Sequence, residues 1–548
     1  MKINPVTAEI LKDLTELAAI PSVKADPEPL APFGREARRA LDWFLKKGRE
    51  YGLAVLDADG YAGHLELPAA AQGGKPIGAG GKLAGVLVHL DVVPARGEGW
   101  RTPPFCPTVA SGRLVGRGVA DDKGAAVVLL HVLKRLKAEG AALRNTVRLI
   151  AGCDEESGSA CVKHYFEKRA MPDFGFSPDA DFPLIFAEKH SVRLNLVFPM
   201  GAAFRAGVQG ILGDFVGNIV PEYAAALLRN AKAGSAQSTV HSPQLKDGNN
   251  AQCNGHFSLS EPVKDCPSKE RGHFSLSEPV KDCPSKENSP AKKEKSVGEV
   301  LSGCAEKDTA ALPNSEKECH YECENSQSEL LNSQFSILNS ESVSFEKIEF
   351  HGRAAHSMEC FKGDNALWKL CAELRKRFPD PALDFIADKI CGETDGKKLG
   401  IARDDGVSGA LTCNFSVMSY ADGKLSLSLD ARCPVNGKPE EIAGIVEKSL
   451  PEGAAAEAVI NYGYALDKND PLVRVLLGAY QTATGKRDGP KATGGGTYAR
   501  YLKRGVAFGP MFDGTDYKIH APGENLPIDE IGTLFDIYYR AVKGLGDL

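Results

Sequence analysis

The chain has 548 residues, of which 43% are hydrophobic and 25% charged, as is usual for globular proteins. Lys and Arg number 66 against 72 Asp and Glu, which gives a formal net charge of -6. This mild acidity argues against a nucleic-acid-binding protein, which normally presents a basic face. The length exceeds that of one ordinary core, so we expect two or three domains and small solutes as partners.

The sequence contains no pattern typical of export or of membrane insertion. Residues 1–20 mix charged side chains among the apolar ones, unlike the apolar centre of a signal peptide. The most apolar stretch, Ala125–Leu133, has nine residues, whereas a membrane helix needs about twenty. Without a secretory signal, the 14 cysteines indicate reduced thiols. We therefore expect a cytoplasmic protein that does not bind membranes.

The first 190 residues alternate between helical patterns and short apolar runs. Apolar residues recur at helical spacing from Thr7 to Ile20, and a second helix is predicted over Gly34–Tyr51. Short apolar runs divided by Gly-rich turns follow at Leu83–His89, Val127–Leu136 and Thr146–Ala151. This alternation predicts an α/β fold with a mainly parallel sheet.

Residues 231–341 differ in character from the rest of the chain. Ser, Lys, Glu, Asn and Pro dominate, and the 16 residues Gly255–Glu270 recur letter for letter at Gly272–Glu287. Two polar copies cannot stack into a solenoid, so we predict a disordered insert. Within it Cys319, His320 and Cys323 faintly resemble a zinc knuckle. No second ligand pair follows at finger spacing, and we interpret them as passenger residues.

Strand and helix patterns resume after the insert. Strands are predicted over Phe345–Phe350, Gly409–Val417 and Lys424–Leu429. Helices are predicted over Asn365–Phe378 and Glu440–Leu450, with a final helix near Ile531–Val542.

Five polar clusters carry groups that can bind metals or move protons. They are His89–Asp91, Gly116–Gly124 with Asp121 and Asp122, Asp154–Glu156, Ser177–Asp179 and His520–Asn525. Most follow a predicted strand, where open α/β sheets place their ligand sites. Singly, each has a structural explanation, such as a helix-capping Asp121 or a buried His–Asp pair. Together, two histidines and several carboxylates suit two divalent ions with a bridging carboxylate.

These motifs resemble the co-catalytic metallopeptidase family that includes aminoacylase, succinyl-diaminopimelate desuccinylase and bacterial dipeptidases. The phrase His89–Gly124 is similar to the family signature, and SPDADFP at Ser177–Pro183 is similar to the PepV-type dipeptidase branch. The resemblance implies a catalytic domain at residues 1–190 and 435–548. It also implies an α+β lid domain at residues 191–434 that carries the insert.

The resemblance also implies roles for individual residues. His89 and Asp179 match the ligands of one metal, Glu156 and His520 those of the other, and Asp121 the bridge. Glu155 matches the general base, and Asp91 the acid that orients the first histidine. In the lid, His356 matches the oxyanion-stabilising histidine, Arg432 the arginine that receives a substrate carboxylate, and Asn218 a residue near the tetrahedral centre. Gly495 lies in a loop matching the one that lines the carboxylate end.

Some positions depart from the family pattern. No proline follows His356 closely, and His190 stands where the family usually has glycine. The expected activity is dipeptide hydrolysis by a protein that acts as a monomer. Zinc is the expected metal, with manganese or cobalt as alternatives. Deacylation of an N-acyl or N-succinyl amino acid needs the same metal site and stays open, as does a non-catalytic binding protein on the same fold.

Overall fold

A computed structural model describes residues 4–72, 75–76, 81–95, 99–230 and 344–548. The predicted insert and its Cys319, His320 and Cys323 lie outside these residues. The helices are α1 (Pro5–Ala18), α2 (Arg35–Glu50), α3 (Lys123–Ala138), α4 (Ala160–Lys168), α5 (Ala202–Gly207), α6 (Ala366–Arg377), α7 (Pro381–Phe385), α8 (Pro439–Ser449), α9 (Pro471–Thr484) and α10 (Ile528–Asp547).

The strands, in the same part of the chain, are β1 (Ala54–Ala58), β2 (Ala62–Leu67), β3 (Ala71–Gln72), β4 (Lys75–Pro76), β5 (Leu83–His89), β6 (Thr108–Ala110), β7 (Arg113–Val115), β8 (Thr146–Gly152), β9 (Phe174–Ser177), β10 (Ala180–Asp181), β11 (Ile185–Glu188), β12 (His190–Pro199), β13 (Val208–Leu212), β14 (Tyr223–Arg229), β15 (Phe345–His351), β16 (Thr412–Ala421), β17 (Lys424–Cys433), β18 (Ala455–Asn461), β19 (Tyr464–Ala465), β20 (Lys491–Thr493), β21 (Gly505–Ala507), β22 (Pro510–Met511) and β23 (Asn525–Pro527).

The largest sheet has the strand order β1-β2-β8-β5-β9-β21-β11-β19, and β20 also pairs with β11. Its centre, β8-β5-β9-β21, is parallel, and so is the pair β11-β20, while the other pairs are antiparallel. Helix α3 packs against α1 and α10, and α2 packs against β1 and β2. One hydrophobic core runs through this layer, from Ile10 near the N-terminus to Leu545 near the C-terminus. The predicted α/β fold is confirmed.

A second, smaller core is formed by residues between Val192 and Val446. Strands β16-β17-β12-β18 form an antiparallel sheet, and β13-β14-β15 form another. Along β12 every second residue is buried, because successive side chains point to opposite faces. Helix α8 packs on β12 and β18, and α6 packs on β14 and β15. This is an α+β lid, as predicted.

The domain limits at residues 190 and 434 stay predictions. We propose to move the second limit to after Asn461, because β18 is hydrogen-bonded along β12 from Ser191 to Val197.

His190 lies where the chain passes from the large sheet into the lid, and both of its ring nitrogens have partners. His190 Nδ1 accepts a hydrogen bond from the Gly463 amide at 2.9 Å, and Nε2 lies 3.0 Å from the Val435 carbonyl oxygen. The histidine that stands where the family usually has glycine therefore lies at the point where the chain enters the lid, and it also contacts Gly463, where the chain leaves it.

The chain enters and leaves residues 231–343 from one hairpin. Strands β14 and β15 pair in antiparallel register from Tyr223↔His351 to Arg229↔Phe345. The Asn230 amide then donates to the Ser344 carbonyl at 3.0 Å and closes the pair. The two ends of the predicted insert are thus hydrogen-bonded neighbours.

None of the helices in the described part of the chain has both the length and the apolar composition needed to cross a bilayer. The eight cysteines in the same part of the chain all carry free thiols.

His64 on β2 makes the stability of the predicted catalytic domain, which we call the catalytic core, depend on pH. Its side chain is buried with Nδ1 2.6 Å from the Tyr165 hydroxyl, and burial together with the charge of Arg148 lowers its pKa to about 4. In the unfolded chain an ordinary histidine titrates near 6.5, so the unfolded state binds more protons below that pH. Stability is therefore lost as the pH falls from about 6.5 toward 4, and this residue accounts for roughly 2 kcal/mol at pH 5.

We expect His64→Gln to reduce the pH dependence of unfolding by about that amount. Urea unfolding of both proteins at pH 7 and pH 5, each with a chelator, measures the difference. Equal pH dependence in the two proteins would contradict the argument.

Candidate metal and active site

Three of the predicted clusters lie at the carboxyl ends of adjacent parallel strands. Asp154–Glu156 follow the end of β8, and Asp179 follows the end of β9. Between these two strands, β5 ends at His89, and Asp91 lies two residues beyond it. His89 and Gly152 are register partners on β5 and β8. Because parallel strands end at the same edge of a sheet, segments far apart in sequence converge there.

His89 is fixed by contacts on both ring nitrogens. Nδ1 lies 3.0 Å from the backbone oxygen of Asp91, and Nε2 lies 2.9 Å from Asp121 Oδ1. A proton donated from Nδ1 to that carbonyl leaves Nε2 as the ligand atom, the arrangement usual for metal-binding histidines. The ring also lies edge-on to Tyr498, with centroids 6.2 Å apart.

The Asp91 carboxylate has other partners than the sequence predicts. Its Oδ1 and Oδ2 accept the amides of Glu155 and Glu156 at 3.0 and 3.1 Å, while Oδ1 is 3.6 Å from His89 Nδ1. The side chain therefore holds the backbone of the two glutamates, and its backbone carbonyl orients the histidine. The resemblance implies that the carboxylate of Asp91 orients His89. In the structure the shorter contact with His89 is made by the backbone carbonyl of Asp91 instead.

Asp121 lies between two imidazoles. Its Oδ1 meets His89, and its Oδ2 is 3.0 Å from His520 Nε2, which is also 3.0 Å from Glu156 Oε1. The predicted ligands thereby form two groups that share Asp121: His89, Asp121 and Asp179, and Asp121, Glu156 and His520. Within each group the ligand atoms all lie within 4.8 Å of one another.

The electrostatics of these groups favour a bound positive charge. Burial, together with neighbouring carboxylates, raises the pKa of Glu155 to about 8 and that of Asp179 well above its usual range. Burial lowers the pKa of His520, but its hydrogen bonds to Asp121 and Glu156 outweigh this effect and raise it to about 10. Clustered buried carboxylates are stable when a cation compensates them. The donor set therefore fits divalent metal ions.

Neither acid of the Asp121–Asp122 pair caps helix α3. Asp122 stands at the N-cap position without a side-chain capping bond, and its Oδ2 instead accepts the His89 amide at 3.1 Å. Capping, the structural explanation considered for Asp121, is wrong. Asp122 therefore holds the end of β5 and not the start of α3.

Glu524 and Arg117 support the site. Both lie within predicted clusters, but the sequence assigned no role to either. Both are buried, and Arg117 Nη1 donates to Glu524 Oε2 at 2.6 Å. Glu524 Oε1 accepts the amides of Ala120 and Asp121 at 3.1 and 3.3 Å. Glu524 therefore joins the loop of His520 to the loop of Asp121. Its position four residues after His520 was the only available signal.

We expect Glu524→Ala to lower the free energy of unfolding by about 3–5 kcal/mol, because it leaves the Arg117 guanidinium buried without a partner. Asp529→Ala, an exposed acid nearby, is the control and is expected to cost less than about 1 kcal/mol. Denaturant unfolding of the two variants measures both changes. A Glu524→Ala protein as stable as the control would show that the ion pair contributes nothing.

Arg432, one of the predicted lid residues, contacts the loop Gly494–Gly496 of the catalytic core. Arg432 Nη1 donates to the Gly494 carbonyl at 3.1 Å, and Nη2 donates to Asp430 Oδ2 at 2.6 Å. Its Nε is buried and has no partner among the described residues. Gly495, also predicted, belongs to this loop, and its amide donates to Thr493 Oγ1 at 3.1 Å.

His356 and Asn218 lie together in the lid. The Asn218 carbonyl accepts the Ser357 amide at 2.8 Å, and His356 Nδ1 accepts the Met358 amide at 3.2 Å. The neutral ring therefore carries its proton on Nε2, and burial together with Arg432 lowers its pKa. Within the described residues neither side chain is hydrogen-bonded to a candidate metal ligand. The structure thus brings the five metal-ligand residues together and leaves these two apart from them.

Several known proteins are similar to this chain over most of its length. A family model described as "Peptidase family M20/M25/M40" matches residues 85–544. The Bacillus subtilis protein named "Putative dipeptidase YtjP" is 30% identical, over 98% of this chain and 97% of its own. "Putative dipeptidase SH1171" of Staphylococcus haemolyticus is 27% identical, over 99% and 98% respectively.

Two solved structures share the fold. The M20 family metallo-carboxypeptidase Sso-CP2 of Sulfolobus solfataricus has a TM-score of 0.52 at 15% identity, covering 98% of this chain and 99% of that one. The di-peptidase Dug1p of Saccharomyces cerevisiae has a TM-score of 0.50 at 12% identity, covering 98% and 96%. With the family match over most of the chain, the conclusion is that this protein belongs to peptidase family M20/M25/M40 and is a hydrolase that acts on peptide bonds.

Proposed function

We propose that the protein is a dipeptidase that uses two divalent metal ions. The observation that carries the proposal is the position of Asp121, which is shared by two groups of three ligand residues. The names of the Bacillus and Staphylococcus relatives support a dipeptide substrate. Two imidazoles among carboxylates suit zinc, and manganese or cobalt accept the same donors.

In this proposal His89 and Asp179 hold one ion, Glu156 and His520 hold the other, and Asp121 bridges them. When bound, the ions supply Lewis acidity that lowers the pKa of water toward neutrality. Glu155 accepts the proton of the attacking water and later returns it to the leaving amine. Asp91 keeps this base beside Glu156, because its carboxylate accepts both of their amides.

The lid residues bind the rest of the substrate. His356 donates from Nε2 to the oxygen of the tetrahedral centre, near which Asn218 also lies. Arg432 binds the terminal carboxylate, for which its buried Nε offers an unused donor. Gly495 lines the same end. A carboxylate held at a fixed distance from the base limits the substrate to a short peptide.

We further propose a cytoplasmic monomer. The support for a monomer is that Arg432 of the lid contacts Gly494 of the catalytic core within one chain. The free thiols of the eight described cysteines support the location, because disulfides are rare in the cytosol.

Hydrolysis of a panel of dipeptides, tripeptides and N-acyl amino acids, with and without a chelator, tests the activity. We expect cleavage confined to dipeptides, abolished by the chelator and restored by zinc or manganese, because water activation depends on the ions. Cleavage of N-acyl substrates only would replace the dipeptidase by a deacylase with the same site. If the metal-loaded protein hydrolyses no substrate of the panel, the result would favour a non-catalytic binding protein.

A further inference from the structure

The loop Gly494–Gly496 connects the two halves of the proposed site. At one end the Gly494 carbonyl accepts the hydrogen bond from Arg432 in the lid. Just beyond the other end, the ring of Tyr498 packs edge-on against His89. The loop thus joins the proposed carboxylate-binding arginine to a proposed metal ligand.

A buried ion pair holds this loop from the catalytic core. Glu188 is fully buried and accepts hydrogen bonds from Arg500 Nε and Nη2 at 3.2 and 3.1 Å. It also accepts the amide and the hydroxyl of Thr497 at 3.2 and 2.7 Å. Arg500 Nη2 donates in addition to the Gly495 carbonyl at 3.3 Å. A Cβ at Gly496 would lie 2.0 Å from Arg500 Nη2, so the guanidinium can pack here only against glycine.

These bonds fix the direction of the loop amides. In a trans peptide the carbonyl and the following N–H point in opposite directions. Because the Gly495 carbonyl faces Arg500, the N–H of Gly496 points away from it. Gly496 is exposed, and its N–H has no acceptor among the described residues. An oriented donor therefore lies two residues from the glycine that Arg432 contacts.

We propose that Glu188 and Arg500 are positioning residues that aim the Gly496 N–H at the terminal carboxylate of the substrate, beside Arg432. The inference rests on the proposed dipeptidase function and adds a specificity device to it. A donor aimed at an ionised carboxylate favours the free acid over a neutral carboxamide, because charge-assisted hydrogen bonds are stronger. Arg500→Lys keeps the charge beside Glu188 but loses the fork that reaches both Glu188 and the Gly495 carbonyl.

The test compares hydrolysis of alanyl-alanine and of its C-terminal amide by the metal-loaded protein. The wild type is expected to prefer the acid. Arg500→Lys and Glu188→Gln are expected to reduce this preference by about tenfold or more, through a higher KM for the acid, with kinetics on the amide unchanged. The control is Arg504→Lys, whose guanidinium donates to Asp470 at 2.9 Å rather than to the loop, and it is expected to keep the preference.

Retention of the preference by both variants would overturn the inference, as would an equal loss of activity on the two substrates, which indicates a purely structural role. A wild type that cleaves neither substrate overturns the proposed function and this inference with it. A wild type that cleaves the acid while the variants keep its preference overturns the inference alone.

Discussion

Glu155→Gln is expected to reduce kcat by about 10³-fold or more while the protein keeps both metal ions. Glutamine has the size of glutamate but cannot accept the proton of water, and positioned bases contribute about 10²–10⁴-fold to a rate. Burial raises the pKa of Glu155 to about 8, and bound cations counter that effect, so the carboxylate is ionised when the ions are present. KM is expected to change little, because the residue is not assigned to substrate binding.

Steady-state kinetics with elemental analysis of the same preparation measure the rate and the metal content together. The matched control is Asp154→Asn in the same acidic run. Asp154 Oδ1 lies 2.8 Å from Lys24 Nζ, so its carboxylate is engaged in an ion pair. Its kcat is expected to stay within about tenfold of the wild type. A Glu155→Gln enzyme as active as this control would assign proton transfer to another group.

Asp121→Asn is expected to abolish the binding of both ions and to lower kcat/KM by an amount on the order of 10⁴-fold. The reason is geometric: this carboxylate is the one member common to both ligand groups. An amide offers only one good ligand oxygen and no charge, so it cannot bridge two cations.

Asp122→Asn is the control for that variant. Its amide oxygen can still accept the His89 amide that Asp122 Oδ2 accepts at 3.1 Å. We expect this variant to bind two ions, whereas Asp121→Asn is expected to bind none. Elemental analysis after dialysis decides between them. Two ions retained by Asp121→Asn would remove the bridging role from the proposal.

The clusters at strand ends could be predicted because both signals are local. The apolar run of β5 ends at His89, and that of β8 ends just before Asp154. The run Val127–Leu136, predicted beside them as a short apolar segment, proved to lie within helix α3. Every residue of this helix from Lys123 to Leu133 is buried, so that part of its sequence lacks the polar face that reveals a helical period.

Contacts between distant segments could not be predicted. Glu524 reaches Arg117 across more than 400 positions, and Arg500 reaches Glu188 across more than 300. No local pattern encodes such pairs, since each depends on how the finished layers pack. The resemblance linked the Asp91 carboxylate to His89, two residues before it in the sequence. The turn after β8 instead brings two amides to that carboxylate.

The hairpin β14–β15 explains how the chain can carry a duplicated segment. Asn230 and Ser344 are already hydrogen-bonded, so the ladder fixes the two ends whatever number of residues separates them. For a segment joining fixed ends, doubling its length costs only about 0.6 kcal/mol of closure entropy. The second copy, Gly272–Glu287, adds 16 residues to the segment, which is far less than a doubling of its length. Growth at this point is therefore nearly neutral for stability, and the length between Asn230 and Ser344 can change while the proposed site residues keep their places.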